Sequence, residues 1–142
     1  MDIADIRKRV KLTIDQSRRE GAARRTRADA AAATYETFLE RVAAPLFKQV
    51  AAILIAERYP FQVFTPGGGL RLSSDRASED YIELHLDAAT DPPVVLGRVS
   101  RSRGSRVLTV ERPIREGVAV ADLTEADLLE FVLKEIRPFV ER

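Results

Sequence analysis

The first 58 residues contain almost nothing that interrupts an α-helix: glycine occurs once, at Gly21, and proline once, at Pro45. β-Branched residues do not cluster in this segment, so it favours helix over strand. A single helix over residues 2–58 would be about 85 Å long at ~1.5 Å per residue. A compact domain of this size has a radius of gyration of roughly 14–15 Å. Such a helix must therefore project from the domain or pack against another chain.

The sequence leaves the continuity of this helix open. Over residues 35–54 the apolar side chains recur at three- and four-residue steps, the pattern of a helix with one buried face. Pro45 lies within this stripe and predicts either a kink or the first turn of a second helix. A break near Gly21 would let the preceding segment fold back as a separate helix. We expect the step from Tyr59 to Pro60 to end the helical region.

A shorter apolar stripe lies near the N-terminus. Four residues at helical spacing form it: Ile3, Ile6, Val10 and Ile14. Over residues 16–27 nearly every position is polar, basic or alanine, and a helix that is polar all round has no core to pack against. A monomer would leave the stripe solvated, so we predict that copies of the chain associate through it, most simply as a dimer.

After residue 60 the apolar period changes to two, which is typical of strands. Clusters of turn residues separate the apolar segments, at residues 66–69, 91–93 and 102–105. Residues 80–87 alternate strictly, which predicts one buried face and one solvated face. These patterns predict four to five antiparallel strands connected as a meander.

The last 20 residues have the pattern of a capped helix. Thr124 and Asp127 are spaced as a capping box, an apolar stripe follows them, and Pro138 should bend or end the helix. We expect the core to form where the sheet, the long helix and this last helix meet. Its predicted members are Leu84, Leu86, Leu46, Val50, Val132 and Ile136.

Basic residues are concentrated locally although the whole chain is nearly neutral. The net charge is +1 from 23 basic and 22 acidic residues, whereas residues 7–27 hold nine basic residues and two acids, a local net charge of +7. This segment belongs to an N-terminal arm, residues 1–27. The arm and an Arg-rich hairpin at residues 101–106 have the composition of phosphate-binding surfaces. The candidate residues are Arg18, Arg19, Arg24, Arg25 and Arg27 in the arm, and Arg101, Arg103 and Arg106 in the hairpin.

Each of the two basic elements also has an interpretation that does not involve nucleic acid. The hairpin lacks aromatic residues that would stack on bases, and charge at a turn also protects a sheet edge from aggregation. For the arm, we favour a solvated helix whose arginines pair with aspartates and glutamates of a neighbouring chain. Arginine outnumbers lysine 19 to 4, but a GC-rich genome would produce the same bias. Nucleic-acid binding is therefore the alternative interpretation and not the favoured one.

The chain lacks the residues that several kinds of catalytic and binding site require. Cysteine is absent, which excludes disulfides and thiolate sites, and His85 is the sole histidine, which excludes multi-histidine metal sites. Glu83 and Asp87 flank His85 at two-residue steps, but strand alternation alone places them together. The glycine-rich turn at residues 67–69 is followed by neither a Lys-Ser/Thr pair nor a helix. We expect a non-enzymatic protein without catalytic residues, cofactor or metal.

The longest strongly apolar run, residues 50–56, is far shorter than the roughly 20 residues of a membrane helix. The first residues also lack the pattern of a signal peptide. We expect no transmembrane or signal segment and, with cysteine absent, a cytoplasmic location.

Together these patterns predict an α+β chain with a long N-terminal helical segment, a four- to five-stranded antiparallel meander and a C-terminal helix packed on one sheet face. Residues 1–27 form a basic helical arm, projecting or mobile, and residues 28–142 form a single α+β domain. The favoured function is a non-enzymatic, self-associating cytoplasmic interaction module. The alternative is a nucleic-acid-binding accessory protein that uses the arm and the hairpin.

Overall fold

One uninterrupted helical rod forms the N-terminal part of the chain in the computed structural model, which describes residues 1–141. Helix α1 (Ile3–Phe38), a π-helical turn (Leu39–Ala43) and helix α2 (Ala44–Ala56) follow one another without a gap. A break near Gly21 is therefore excluded. A glycine inside a helix costs only about 1 kcal/mol relative to alanine, and the alanines and arginines around Gly21 are strong helix formers.

Pro45 changes the hydrogen-bond pattern of the rod instead of ending it. Proline has no backbone N–H, and Pro45 occupies the first turn of α2. Just before it, the amide of Ala44 donates to the carbonyl of Leu39, five residues earlier, which is the spacing of a π-helix. The rod ends beyond Ala56, close to the predicted step at Pro60.

A five-stranded antiparallel meander follows the rod, as the sequence predicted. Its strands lie side by side in chain order: β1 (Phe61–Phe64), β2 (Leu70–Ser74), β3 (Tyr81–Asp87), β4 (Val94–Arg103) and β5 (Arg106–Pro113). The last turn is tighter than predicted, because Arg103 pairs with Arg106 and only Gly104 and Ser105 lie between them. Gly104 has a φ of 63°, which favours glycine.

Helix α3 (Glu125–Glu135) packs on one face of the sheet and is followed by the short helix α4 (Arg137–Val140). The predicted capping box is confirmed: the Asp127 amide donates to Thr124 Oγ1, and the Thr124 amide donates to Asp127 Oδ2, both at 3.1 Å. Phe131 of α3 lies directly over Gly97 of β4, where an added Cβ would overlap the ring. Glycine at position 97 thus permits the close approach of helix and sheet.

The core lies between this sheet face and helices α2 and α3. Of the predicted core residues, four are buried: Leu84, Leu46, Val50 and Val132. Leu86 and Ile136 are only half-buried. Each lies at the end of its element, where fewer neighbours surround it. The α+β class of the fold is confirmed. Within residues 1–141, no helix is both long and apolar enough to cross a membrane.

Candidate functional site

The arm, residues 1–27, extends away from the domain with nearly all of its side chains in solvent. The four residues of its apolar stripe are exposed by the following fractions: Ile3 74%, Ile6 44%, Val10 53% and Ile14 45%. Within α1 the buried residues are Tyr35 and Phe38, close to its C-terminal end. At ~100° of rotation about the helix axis per residue, Val10, Gly21 and Tyr35 point in directions that lie within about 40° of one another. The apolar stripe of the arm therefore lies on the same side of the rod that the domain covers further along.

The basic residues of the arm have little contact with acids of the same chain. Arg27 forms a bidentate ion pair with Asp91, with nitrogen–oxygen distances of 2.9 and 2.6 Å. The hydrogen bonds of this pair raise the pKa of Arg27 and lower the pKa of Asp91. The other eight form no ion pair with any residue in the range 1–141: Arg7, Lys8, Arg9, Lys11, Arg18, Arg19, Arg24 and Arg25.

The arm and the Arg-rich hairpin lie at opposite ends of the domain. Arg27 contacts Asp91, just before β4, whereas the hairpin lies at the far end of that ten-residue strand, about 33 Å away at ~3.3 Å per residue. The rod runs from the Asp91 end of the sheet toward the hairpin end, because the strand that follows it begins at the hairpin end. Its first residue, Phe61, lies beside Ser74. The neighbouring Ser73 pairs with Tyr81, which pairs with Ser100 close to the hairpin. Its N-terminal arm therefore points away from the hairpin. The two predicted nucleic-acid elements do not form one continuous surface within a single chain.

Within the hairpin, the three arginines share one sheet face. Arg103 lies opposite Arg106, and Arg101 is two residues before Arg103. The end of β4 is held in place by Asp80, whose Oδ1 accepts from the amide of Ser102 at 2.7 Å and from its hydroxyl at 3.1 Å. The hairpin is thus a fixed, positively charged end of the sheet.

A row of alternating charges crosses the sheet face opposite the core. Register places Arg71, Glu83, Arg98 and Glu111 side by side on β2 to β5. Arg71 Nε lies 3.0 Å from Glu83 Oε1, and Arg98 Nη2 lies 2.7 Å from Glu111 Oε1. Arg98 Nη1 is also 3.7 Å from the second oxygen of Glu83. Two positive and two negative charges cancel, so this row carries no net charge that would attract a charged ligand from a distance.

The charge row corrects the prediction that this face of β3 is solvated. Glu83 is 8% exposed because arginines flank it on both neighbouring strands. His85, in the next row, is half-buried, with its Nε2 3.7 Å from Glu111 Oε2. Among residues 1–141 no group of three or more histidine, aspartate or glutamate side chains is placed to hold a metal ion.

A groove follows the outer edge of the sheet, between β5 and α3; we name it the edge groove. It consists of two depressions of about 480 and 310 Å³ that share Arg112 and Glu135. Arg112 Nη1 contacts both carboxylate oxygens of Glu135, at 2.7 and 2.9 Å. Leu108 and Val110 lie on the same sheet face as the core yet are 38% and 41% exposed, because α3 covers β4 but not β5.

Sequence patterns identified the stripe and the basic residues but missed the charge row and the edge groove. The charge row depends on the register of four strands, and the groove depends on where α3 lies across the sheet. No sequence signal for the groove was available: Val107 and Leu108 of β5 are adjacent apolar residues that lie on opposite sheet faces, a pattern more typical of a strand covered on both faces. Comparison of the chain with models of protein families, with curated proteins and with solved structures finds no match.

Proposed function

We propose that this protein is a non-enzymatic, cytoplasmic module that self-associates through its helical arm. The observation that carries the proposal is the exposed apolar stripe on the arm, which continues the core-facing side of the rod. A helix without tertiary contacts is marginal in water, because most helical stability in proteins comes from packing of an apolar face. A partner that covers the stripe would provide that packing.

The unpaired charges of the arm support a protein partner with acidic residues. Between Glu116 and Glu135 the chain carries six acids and one basic residue, Lys134. Four of these acids form no ion pair with any residue in the range 1–141: Glu116, Asp122, Glu125 and Glu130. A second copy therefore offers charges opposite to those of the arm.

Substitution of the stripe tests the proposal. Val10→Ser removes an apolar residue from the stripe, while Leu12→Ser is a matched control, since Leu12 is 58% exposed on the opposite side of the helix. Burial of a valine side chain contributes ~1.5–3 kcal/mol, so we expect Val10→Ser to weaken self-association at least tenfold. Sedimentation equilibrium measures the dissociation constant. Equal effects of the two substitutions would contradict a role for the stripe.

Nucleic-acid binding is the second candidate function, and the eight unpaired basic side chains of the arm are the observation that favours it. Each phosphate contact contributes roughly −0.9 to the slope of log affinity against log salt on duplex DNA. Removal of residues 1–27 should abolish binding that depends on the arm, whereas Arg101→Glu, Arg103→Glu and Arg106→Glu together should abolish binding that depends on the hairpin. We expect no retention of RNA or DNA at ~0.1 M salt, and retention there would favour this second function.

A further inference from the structure

We propose that the free edge of β5 binds an extended acidic segment of another protein, which adds one more strand to the five-stranded sheet. The segment pairs antiparallel with β5, places two apolar side chains against Leu108 and Val110, and places a carboxylate beside Arg106. This surface belongs to the domain and does not involve the arm. The inference therefore does not rest on the proposed self-association.

The backbone of β5 presents a regular row of unpaired hydrogen-bonding groups. β5 is the last strand of the sheet and pairs only with β4. The Ile114 amide, just after β5, donates to the Val95 carbonyl at 3.2 Å, and bonded pairs of an antiparallel ladder recur at every second residue. The amides and carbonyls of Val107, Thr109 and Glu111 therefore point away from β4. A row with this spacing is a template for one more strand.

Over residues 106–113 the usual obstacles to an added strand are absent. The register with β4 is one-to-one from Arg106 to Pro113, without a bulge, and proline occurs only at the last position. An interior proline, a bulge or a covering helix commonly protects a sheet edge, but α3 covers β4 and leaves β5 open. The edge groove provides space on the core-facing side for the side chains of the added strand.

The side chains along this edge determine the chemistry of the segment. Leu108 and Val110 are 38% and 41% exposed, so they fit apolar residues at two alternate positions of an added strand. Arg106 lies on the same sheet face, two residues before Leu108. It forms no ion pair within residues 1–141, and neither do Arg101 and Arg103 on β4. Unpaired arginines at one end of an apolar row favour a carboxylate there.

The charges at the other end of the edge groove are mixed. Two ion pairs lie there, Arg112 with Glu135 and Arg115 with Asp127. Three side chains of both signs form no ion pair within residues 1–141 and lie beside these pairs: Glu116, Glu130 and Lys134. Positive charge without an acid is therefore concentrated at the hairpin end. In the antiparallel orientation, which is the more stable one, the C-terminal end of the segment lies beside the hairpin. The acidic residue thus follows the apolar pair.

A second copy of β5 fits this edge less well. Antiparallel pairing about Thr109 aligns Leu108 with Val110 of the other copy, but it also aligns Arg106 with Arg112 of the other copy. Like charges directly opposite each other are destabilising, and a two-fold pair contains this contact twice. A segment with a carboxylate opposite Arg106 avoids the conflict.

A fluorescein-labelled synthetic peptide, Ser-Thr-Val-Thr-Val-Thr-Glu, tests the added strand by fluorescence anisotropy with the full-length chain. Its valines match Val110 and Leu108, its central threonine matches Thr109, and its glutamate matches Arg106. We expect saturable binding. N-methylation of the central threonine should weaken it about tenfold or more, because the methyl group replaces the N–H that donates to the Thr109 carbonyl. N-methylation of the second valine, whose N–H points away from β5, is the matched control and should have a much smaller effect.

Exchange of the charges provides an independent test. A peptide with lysine in place of glutamate should bind the original chain roughly twofold or more weakly, because attraction to Arg106 becomes repulsion. Arg103→Glu with Arg106→Glu should reverse the preference, so that the lysine peptide binds more tightly. Circular dichroism during heating shows whether this variant is folded. The same preference in both chains would overturn contact between the carboxylate and the hairpin.

The remaining outcomes also decide the proposal. The absence of saturable binding by the glutamate peptide, or equal binding by the two N-methylated peptides, would overturn it. Thr109→Pro removes an outward N–H without breaking the ladder to β4. If this variant became monomeric while the original chain bound no peptide, a second copy would be the occupant of the edge, which also overturns the proposal. Val10→Ser should leave peptide binding unchanged, so a failure of self-association is measured separately from a failure of the peptide to bind.

Discussion

At the scale of single residues, two buried side-chain atoms have no hydrogen-bond partner within residues 1–141, the Tyr35 hydroxyl and His85 Nδ1, and the first of them lies in the core. Tyr35 is 5% exposed, and its hydroxyl is buried with no hydrogen-bond partner within residues 1–141. Burial, assisted by the negative charge of Glu83, raises the pKa of this phenol well above its ordinary value. A buried hydroxyl without a hydrogen bond costs roughly 1–3 kcal/mol. The ring of Tyr35 therefore contributes to packing, while its hydroxyl opposes folding.

We predict that Tyr35→Phe increases the free energy of unfolding by about 1 kcal/mol at neutral pH. In the original chain the unfolded phenol ionises above about pH 10 whereas the folded phenol resists ionisation, so stability should fall as the pH rises past that value. Tyr35→Phe should lose this part of the pH dependence. Urea denaturation of both chains at neutral and alkaline pH measures both effects. A less stable Tyr35→Phe chain would mean that the hydroxyl makes a favourable contact.

Leu84 should be one of the residues on which the fold depends most, because it is fully buried at the centre of the sheet. We predict that Leu84→Ala decreases the free energy of unfolding by ~2–5 kcal/mol. Leu133, which is 47% exposed on α3, provides the control, and Leu133→Ala should cost far less. Similar losses for the two substitutions, measured by denaturant titration, would contradict the assignment of the buried sheet face.

At the scale of elements, local patterns predicted what depends on a few neighbouring residues. Thr124 and Asp127 marked the start of α3, and strict alternation marked β3. Tertiary pairing could not be predicted from the sequence. No local signal links Arg27 to Asp91, 64 residues later. Nor does one align Arg71 with Glu111 across four strands. The exposure of β5 depends in turn on where Phe131 places α3 over Gly97. These features require the assembled sheet and helices.

The stability of the domain should depend very little on the arm. Its ion pair with the domain joins Arg27 and Asp91, which are both exposed, and exposed ion pairs contribute little to stability. We predict that removal of residues 1–27 leaves the domain folded, with a thermal midpoint close to that of the full chain when both are dilute enough to be monomeric. Circular dichroism during heating measures this. A much lower midpoint would mean that the arm packs on its own domain.

At the scale of the whole molecule, the helical rod is longer than the domain that packs on it. Helices α1 and α2 together with the π-helical turn are about 80 Å long at ~1.5 Å per residue, and the domain covers only the C-terminal part of this length. The uncovered part carries an apolar stripe and unpaired positive charges, while the uncovered edge of the sheet carries apolar residues and the hairpin arginines. The proposed self-association would give the uncovered part of the rod the packing contacts that its own domain does not provide.

Light scattering of the full-length chain across the micromolar concentration range tests self-association most directly. We predict a mass that increases with concentration toward twice the 15.8 kDa of a single chain, whereas a chain without residues 1–27 should remain monomeric throughout. A full-length chain that stays at 15.8 kDa over the whole range would contradict the account.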